Sequence, residues 1–145
     1  MGGVKAICFT LRFDGEAVEL EAEHFWVETR ASVPVEADRA AEQPDEIRTD
    51  GALCRRNLEV RADGSLVQMG EITFGADDAI TFRAHGALGA SPDPDVRHGT
   101  AVLEVTGGRG QLAGARGYVT SNFLLSESGE LTDHNLGLLF VERPA

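Results

Sequence analysis

Apolar and polar residues alternate along this chain from end to end, and a period of two fits β-strands and excludes a helical stripe. The alternating runs are punctuated by Gly, Asp and Ser, so the expected class is all-β. Val4 to Phe13 places Ile7, Phe9, Leu11 and Phe13 on one face, and Asp14-Gly15 supplies the residue pair of a tight hairpin turn. From Ala17 to Thr29 the pattern turns Glu19, Glu21 and Glu23 toward solvent and Val18, Leu20, Ala22, His24 and Trp26 toward the interior. The same parity carries Glu28 inward and leaves Phe25 and Val27 outside unless a bulge intervenes.

A meander follows: Leu53 to Arg61, a turn at Asp63-Gly64, Leu66 to Phe74, a turn at Ala76 to Asp78, and Ala79 to Leu88. Gly99 to Thr106, Arg116 to Ser126 and Thr132 to Glu142 complete the set, with Glu127 to Glu130 as the last turn. Sequential antiparallel pairing is the simplest connection. Eight strands closed on themselves bury every edge and leave an interior wide enough for packed side chains or one small ligand. The expected fold is a closed eight-stranded antiparallel β-barrel. Two stretches stand outside the pattern: the acidic 31–51 segment, whose length suits a lid over the barrel mouth, and the Pro-rich Gly89 to His98.

A chain of 145 residues has the length of one domain, so 1–145 is read as a single barrel. Its net charge of −11 repels phosphate backbones and anionic membrane surfaces, which argues against nucleic-acid and membrane partners. No stretch reaches the roughly 20 apolar residues of a membrane span. The start, Met1-Gly2-Gly3-Val4-Lys5, lacks the layout of a signal peptide. Together with two cysteines, Cys8 and Cys54, and no disulfide framework, this gives a cytoplasmic expectation. The histidines, His24, His85, His98 and His134, are scattered singly, so no metal site is expected. No serine sits in a nucleophile elbow.

The segment Val105-Thr106-Gly107-Gly108-Arg109-Gly110-Gln111-Leu112-Ala113-Gly114-Ala115-Arg116-Gly117-Tyr118 reads as a tight connection: its glycines admit positive φ and Leu112 plugs the barrel end. It resembles the Val-x-Gly-Gly-x-Gly-x-Phe/Leu-x-x-Ala-x-Gly pattern of allene oxide cyclases and plant dirigent proteins. The likeness extends back through Ile80 to Gly86 and Ala52-Leu53-Cys54, covering roughly 51–141. It implies an eight-stranded barrel, dimers or trimers, and no metal or redox cofactor. Bacterial polyketide cyclases that close rings inside such a lumen share the architecture. By motif position Cys54 resembles a pocket cysteine of the allene oxide cyclases. Val102 falls near a pocket tyrosine of theirs, which turns Thr100, Val102 and Glu104 inward; the tyrosine itself is missing.

The candidate lining follows from these parities. Glu104 in an apolar lumen would have a raised pKa suited to proton transfer, and on the outer face it would be an ordinary surface carboxylate. His24 could act as acid or base beside Trp26, which could stack on an unsaturated substrate, or both could be core residues. Arg56 shares parity with Cys54 and could polarise a carbonyl or hold an enolate, or reach solvent at the rim. Phe82, Glu28 and His134, the last at the entry to the final strand, complete the set. Tyr118 is expected outside, at a subunit contact.

These readings lead to a cofactor-independent cyclase or isomerase of secondary metabolism, with Glu104, His24 and Arg56 as the acting groups on a polyene or polyketide-like substrate. The alternative is a carrier of a small hydrophobic ligand, and a third reading has a barrel filled by its own side chains. A homodimer or homotrimer is expected in each case.

Overall fold

A computed structural model describes residues 3–31, 45–46 and 51–142. The strands are β1 (Val4–Glu21), β2 (His24–Ala31), β3 (Asp45–Glu46), β4 (Ala52–Val60), β5 (Ser65–Phe74), β6 (Asp78–Ala90), β7 (Val96–Arg109), β8 (Arg116–Ser126) and β9 (Glu130–Glu142). Eight of them pair antiparallel in the cyclic order β1-β2-β4-β5-β6-β7-β8-β9, with β9 returning to β1. The two-residue β3 pairs parallel to β1 at Ile7 and Cys8, outside the Asp14–Glu21 stretch that β2 takes. The closed antiparallel barrel expected from the alternation is therefore the observed fold. None of the described helices is long and apolar enough to cross a membrane.

The registers fix the barrel's shape. A path across the strands runs from Val18 through Trp26, Asn57, Met69, Arg83, Glu104, Tyr118 and Leu138. It comes back to β1 at Cys8, ten residues before its starting point. A stagger of that size over eight strands tilts them by roughly 40° and widens the interior. All eight members of that path face outward, and the interior belongs to the residues of opposite parity.

Inside, Phe9, Leu11, Phe13, Phe25, Val27, Leu58, Leu66, Ile72, Phe82, Leu103, Val119, Phe123, Leu131 and Leu139 form one continuous core. Each large apolar side chain removed from water contributes about 1.5–3 kcal/mol. Interior glycines make room for rings. A Cβ on Gly99 would lie 2.0 Å from the Phe123 ring, and one on Gly137 would lie 2.3 Å from the ring of Phe9.

Three expectations about the chain path are corrected. Asp14-Gly15 is not a hairpin: β1 runs through it to Glu21, passing from β9 to β2 as its partner, and the turn falls at Ala22-Glu23. Gly15 serves close approach instead, since a Cβ there would meet the Glu28 carbonyl oxygen at 2.1 Å. With the turn displaced, β2 takes the opposite parity to the one expected, so Phe25, Val27, Thr29 and Ala31 are buried while Trp26 faces out. The Pro-rich stretch is shorter than expected, because β6 extends to Ala90 and β7 starts at Val96.

The barrel has two unlike ends. At one, the Gly110–Leu112 turn of 3-10 helix folds over the opening and buries Leu112. Here Asp78 accepts from the Gln111 N–H at 2.9 Å, and Gly110 sits at φ +67° against the Asp77 carbonyl. Ala31 and Ala52, which flank the acidic segment, pair at this same end. At the other end lie the turns at 22–23, 61–64, 91–95 and 127–129. Apart from Asp45 and Glu46, the 32–50 part of the expected lid lies outside the described residues.

Candidate functional site

The interior contains a band of polar side chains between its apolar layers. Arg56 on β4 and Asp133 on β9 are shut off from solvent, with side-chain exposures of 0% and 1%, and meet at 3.0 Å. Ser121 donates to the other Asp133 oxygen at 2.7 Å. The Arg56 guanidinium lies 5.6 Å from the centre of the Phe123 ring. Gly70 stands opposite Arg56 on β5, where any side chain would collide with the Arg56 Cβ at 2.6 Å.

Two further groups on the same wall are diagonal neighbours of Arg56. Thr29 pairs with Cys54, and Gln68 with Leu58, each two residues along from the partner of Arg56, a spacing of roughly 7–8 Å on one face. On the facing wall Asn135 pairs with Ser121. The Arg56 Nε and Nη2 atoms and both polar atoms of the Gln68 and Asn135 amides are buried without a hydrogen-bond partner in the protein. Each such group costs about 1–3 kcal/mol in a closed core. This buried polarity sets the band apart from the apolar layers on either side of it.

Electrostatics reinforces the pairing. Burial pulls the Arg56 pKa down, but the Asp133 carboxylate and its hydrogen bond outweigh that and raise it, so the guanidinium stays charged. Burial pushes the Cys54 thiol up to about 11, opposed in part by the Arg56 charge. Among the described residues, Cys54, Arg56 and Asp133 are the buried ionisable groups. The thiol is therefore a neutral, unreactive neighbour, and the ion pair is the polar element of the interior.

Above this band the open end carries a cleft of about 430 Å³, lined by Ala17, Phe25, Val96, Arg97, Leu125 and Ser126 among others. Its rim is held by Arg97 donating to Glu23 at 3.0 Å and by Ser91, which bridges the Asp93 and Val96 carbonyls. Phe25 and Leu125 form the floor. One inward-facing residue further along, about 7 Å at strand rise, come Val27, the register partner of Arg56, and Phe123, the register partner of Asp133. The cleft thus stands one layer of side chains from the ion pair on both walls.

Of the residues singled out in the sequence, Arg56, Cys54 and Phe82 are inside the barrel. Seven others are not, and the expectation of an inward face is corrected for each. Glu104 lies outside, paired with Arg83 at 2.7 Å. Glu28 lies outside, paired with Arg55 at 3.0 Å. Trp26, His24, Thr100, Val102 and His134 share the outer parity; Trp26 is 37% and Val102 50% exposed. The physical reason is local. On β2 the displaced turn flips the parity. On β7 the alternation of Gly99, Ala101, Leu103 and Val105 against Thr100, Val102 and Glu104 is ambiguous by hydrophobicity, and the small Gly99 sits where the Phe123 ring needs room. Sequence reasoning missed Asp133, Gln68, Thr29 and Asn135. Their signal was polarity at inward positions of runs otherwise apolar on that face, as in Leu131-Thr132-Asp133-His134-Asn135.

The fold is a closed barrel of eight antiparallel strands, with a glycine-rich plug at one end and a cleft at the other. Among solved structures the chain is similar to the pterocarpan synthase dirigent protein GePTS1. The superposition has a TM-score of 0.58 over 96% of this chain and 88% of that one, at 13% identity, which is a likeness of fold. No family model matches the chain, and no curated protein matches it.

Proposed function

We propose that this barrel takes up a small, largely apolar molecule through the open end and holds it against the Arg56–Asp133 pair in one conformation. Steering of a reactive molecule is the role this arrangement fits, and a cofactor-independent cyclase or isomerase of secondary metabolism, of the allene oxide cyclase or polyketide cyclase kind, is its catalytic form. The observation that carries the reading is the buried ion pair with unpartnered donors around it, one layer beneath a cleft. An enclosed cation–carboxylate pair can polarise a carbonyl without acid–base exchange by the protein, and an apolar enclosure can select a near-attack conformer. The outward position of His24 and Glu104 favours steering over proton transfer.

The same features suffice for a carrier of a small hydrophobic ligand. That reading is favoured by the floor of Phe25 and Leu125, which leaves the cleft and the ion pair in separate compartments until a side chain moves. We infer in addition that copies of the barrel assemble through the outer face of β7, β8 and β9. There Val102, Tyr118, Leu136, Leu138 and Phe140 are neighbours and stand uncovered.

The test is amide chemical-shift mapping with the apolar probe N-phenylnaphthylamine. The expected result is a set of shifts at Phe25, Arg56, Phe123 and Asp133, unchanged in Glu104→Gln. Shifts confined to Trp26, Met69 and other outer residues would overturn the interior site. Incubation with the polyene ketone pseudoionone then separates the two forms: a cyclic isomer marks the enzyme, and unchanged recovery marks the carrier.

A further inference from the structure

The free atoms of Arg56 carry more information than the presence of a charge. Nη1 is the atom committed to Asp133, at 3.0 Å. The two left over, Nε and Nη2, are the adjacent N–H groups along one side of the guanidinium plane. That edge donates two parallel hydrogen bonds and matches two acceptor oxygens about as far apart as those of a carboxylate. The Phe123 ring, 5.6 Å from the guanidinium carbon, limits how a partner can approach it.

Charge then separates the possible partners. Arg56 is neutralised by Asp133, so a carboxylate on the free edge would leave the buried group with a net negative charge, a costly arrangement away from water. A neutral group with two oxygens on one edge meets the same geometry without that penalty. The amides of Gln68 and Asn135, on facing walls and each with donor and acceptor free, complement hydroxyl or carbonyl groups further along such a molecule.

We infer that the ligand of this barrel is a neutral, planar conjugated molecule bearing two oxygens on one edge, as an enolised β-dicarbonyl does, bound side-on by Arg56 Nε and Nη2. This rests on the interior site proposed above and adds the chemical class of what enters it. Arg56 is the residue that sets specificity, and Asp133 fixes its orientation and removes its preference for anions.

The experiment is calorimetric titration of the intact protein with three diphenyl probes of similar size: dibenzoylmethane, which is an enolised β-dicarbonyl; dihydrochalcone, with a single ketone; and diphenylacetate, a carboxylate. Dibenzoylmethane is expected to bind at least tenfold more tightly than either of the others, with a shift of its enol absorption band. Arg56→Lys, which keeps the charge and loses the paired edge, is expected to abolish that preference, so that dibenzoylmethane and dihydrochalcone bind alike. If Arg56→Lys does not fold, the ranking of the three probes on the wild-type chain decides the matter. Equal binding of dibenzoylmethane and dihydrochalcone, or tighter binding of diphenylacetate, overturns the inference and leaves the interior site standing. Failure of all three to bind overturns both.

Discussion

Arg56 donates to Asp133 at 3.0 Å from another wall of the barrel, and neither side chain reaches solvent. Removing one partner of such a pair leaves a buried charge with nothing to balance it, at a cost of about 3–5 kcal/mol. Asp133→Ala is therefore expected to lower the urea unfolding free energy by that amount. Replacing both partners by apolar side chains, Arg56→Met with Asp133→Leu, is expected to restore more than half of the loss. A double variant no more stable than Asp133→Ala would show that the pair is needed for packing itself.

The buried Cys54 thiol gives the fold an alkaline limit. Its pKa rises from 9.0 to about 11 on folding, chiefly through burial. The folded protein thus keeps a proton that the unfolded chain releases first. The stabilisation is complete below pH 9 and is lost as pH rises toward 11, to an extent on the order of 2–3 kcal/mol. Cys54→Ala is expected to flatten this part of the stability–pH curve relative to wild type, measured by denaturation at pH 8 and pH 10.5. Equal slopes would refute it.

Gly99 is where the Phe123 ring lies, with 2.0 Å between the ring and any added Cβ. Gly99→Ala is expected to cost about 1–3 kcal/mol through overpacking and to move the ring away from Arg56. Phe123→Leu in the same chain should recover part of that cost. A thermal unfolding series of the three variants checks the coupling, and simple additivity would remove it.

Leu138 lies at the centre of the uncovered face of β8 and β9, with Tyr118 as its register neighbour at 58% exposure. Leu138→Glu, on a surface already rich in acidic groups, is expected to leave the barrel folded and reduce any assembly to single copies by light scattering. An unchanged mass would place the assembly contact elsewhere.

The outline of this molecule was legible because period-two alternation is a local property, and eight such runs have few ways to bury their edges. Ile7, Phe9, Leu11 and Phe13, the outward Tyr118, and the plugging Leu112 could all be read from neighbours in the chain. The site was read only in part. Arg56 and Cys54 share a parity that the sequence shows, with the rim left open as an alternative for Arg56, whereas His24, Trp26 and Glu28 depend on where one turn falls.

That turn is decided by the tertiary structure. Asp14-Gly15 has the local chemistry of a hairpin, but β1 must continue past β9 to reach β2 and close the ring, and the glycine serves that crossing. Closure also selects which polar residues face one another: Asp133 and Arg56 are 77 residues apart in the chain and meet because the staggered strands bring them to one level. The sequence by itself determined that a barrel forms and which faces of most strands are apolar. Only the closed structure determined which charges share its interior, since that depends on the register of every strand between them.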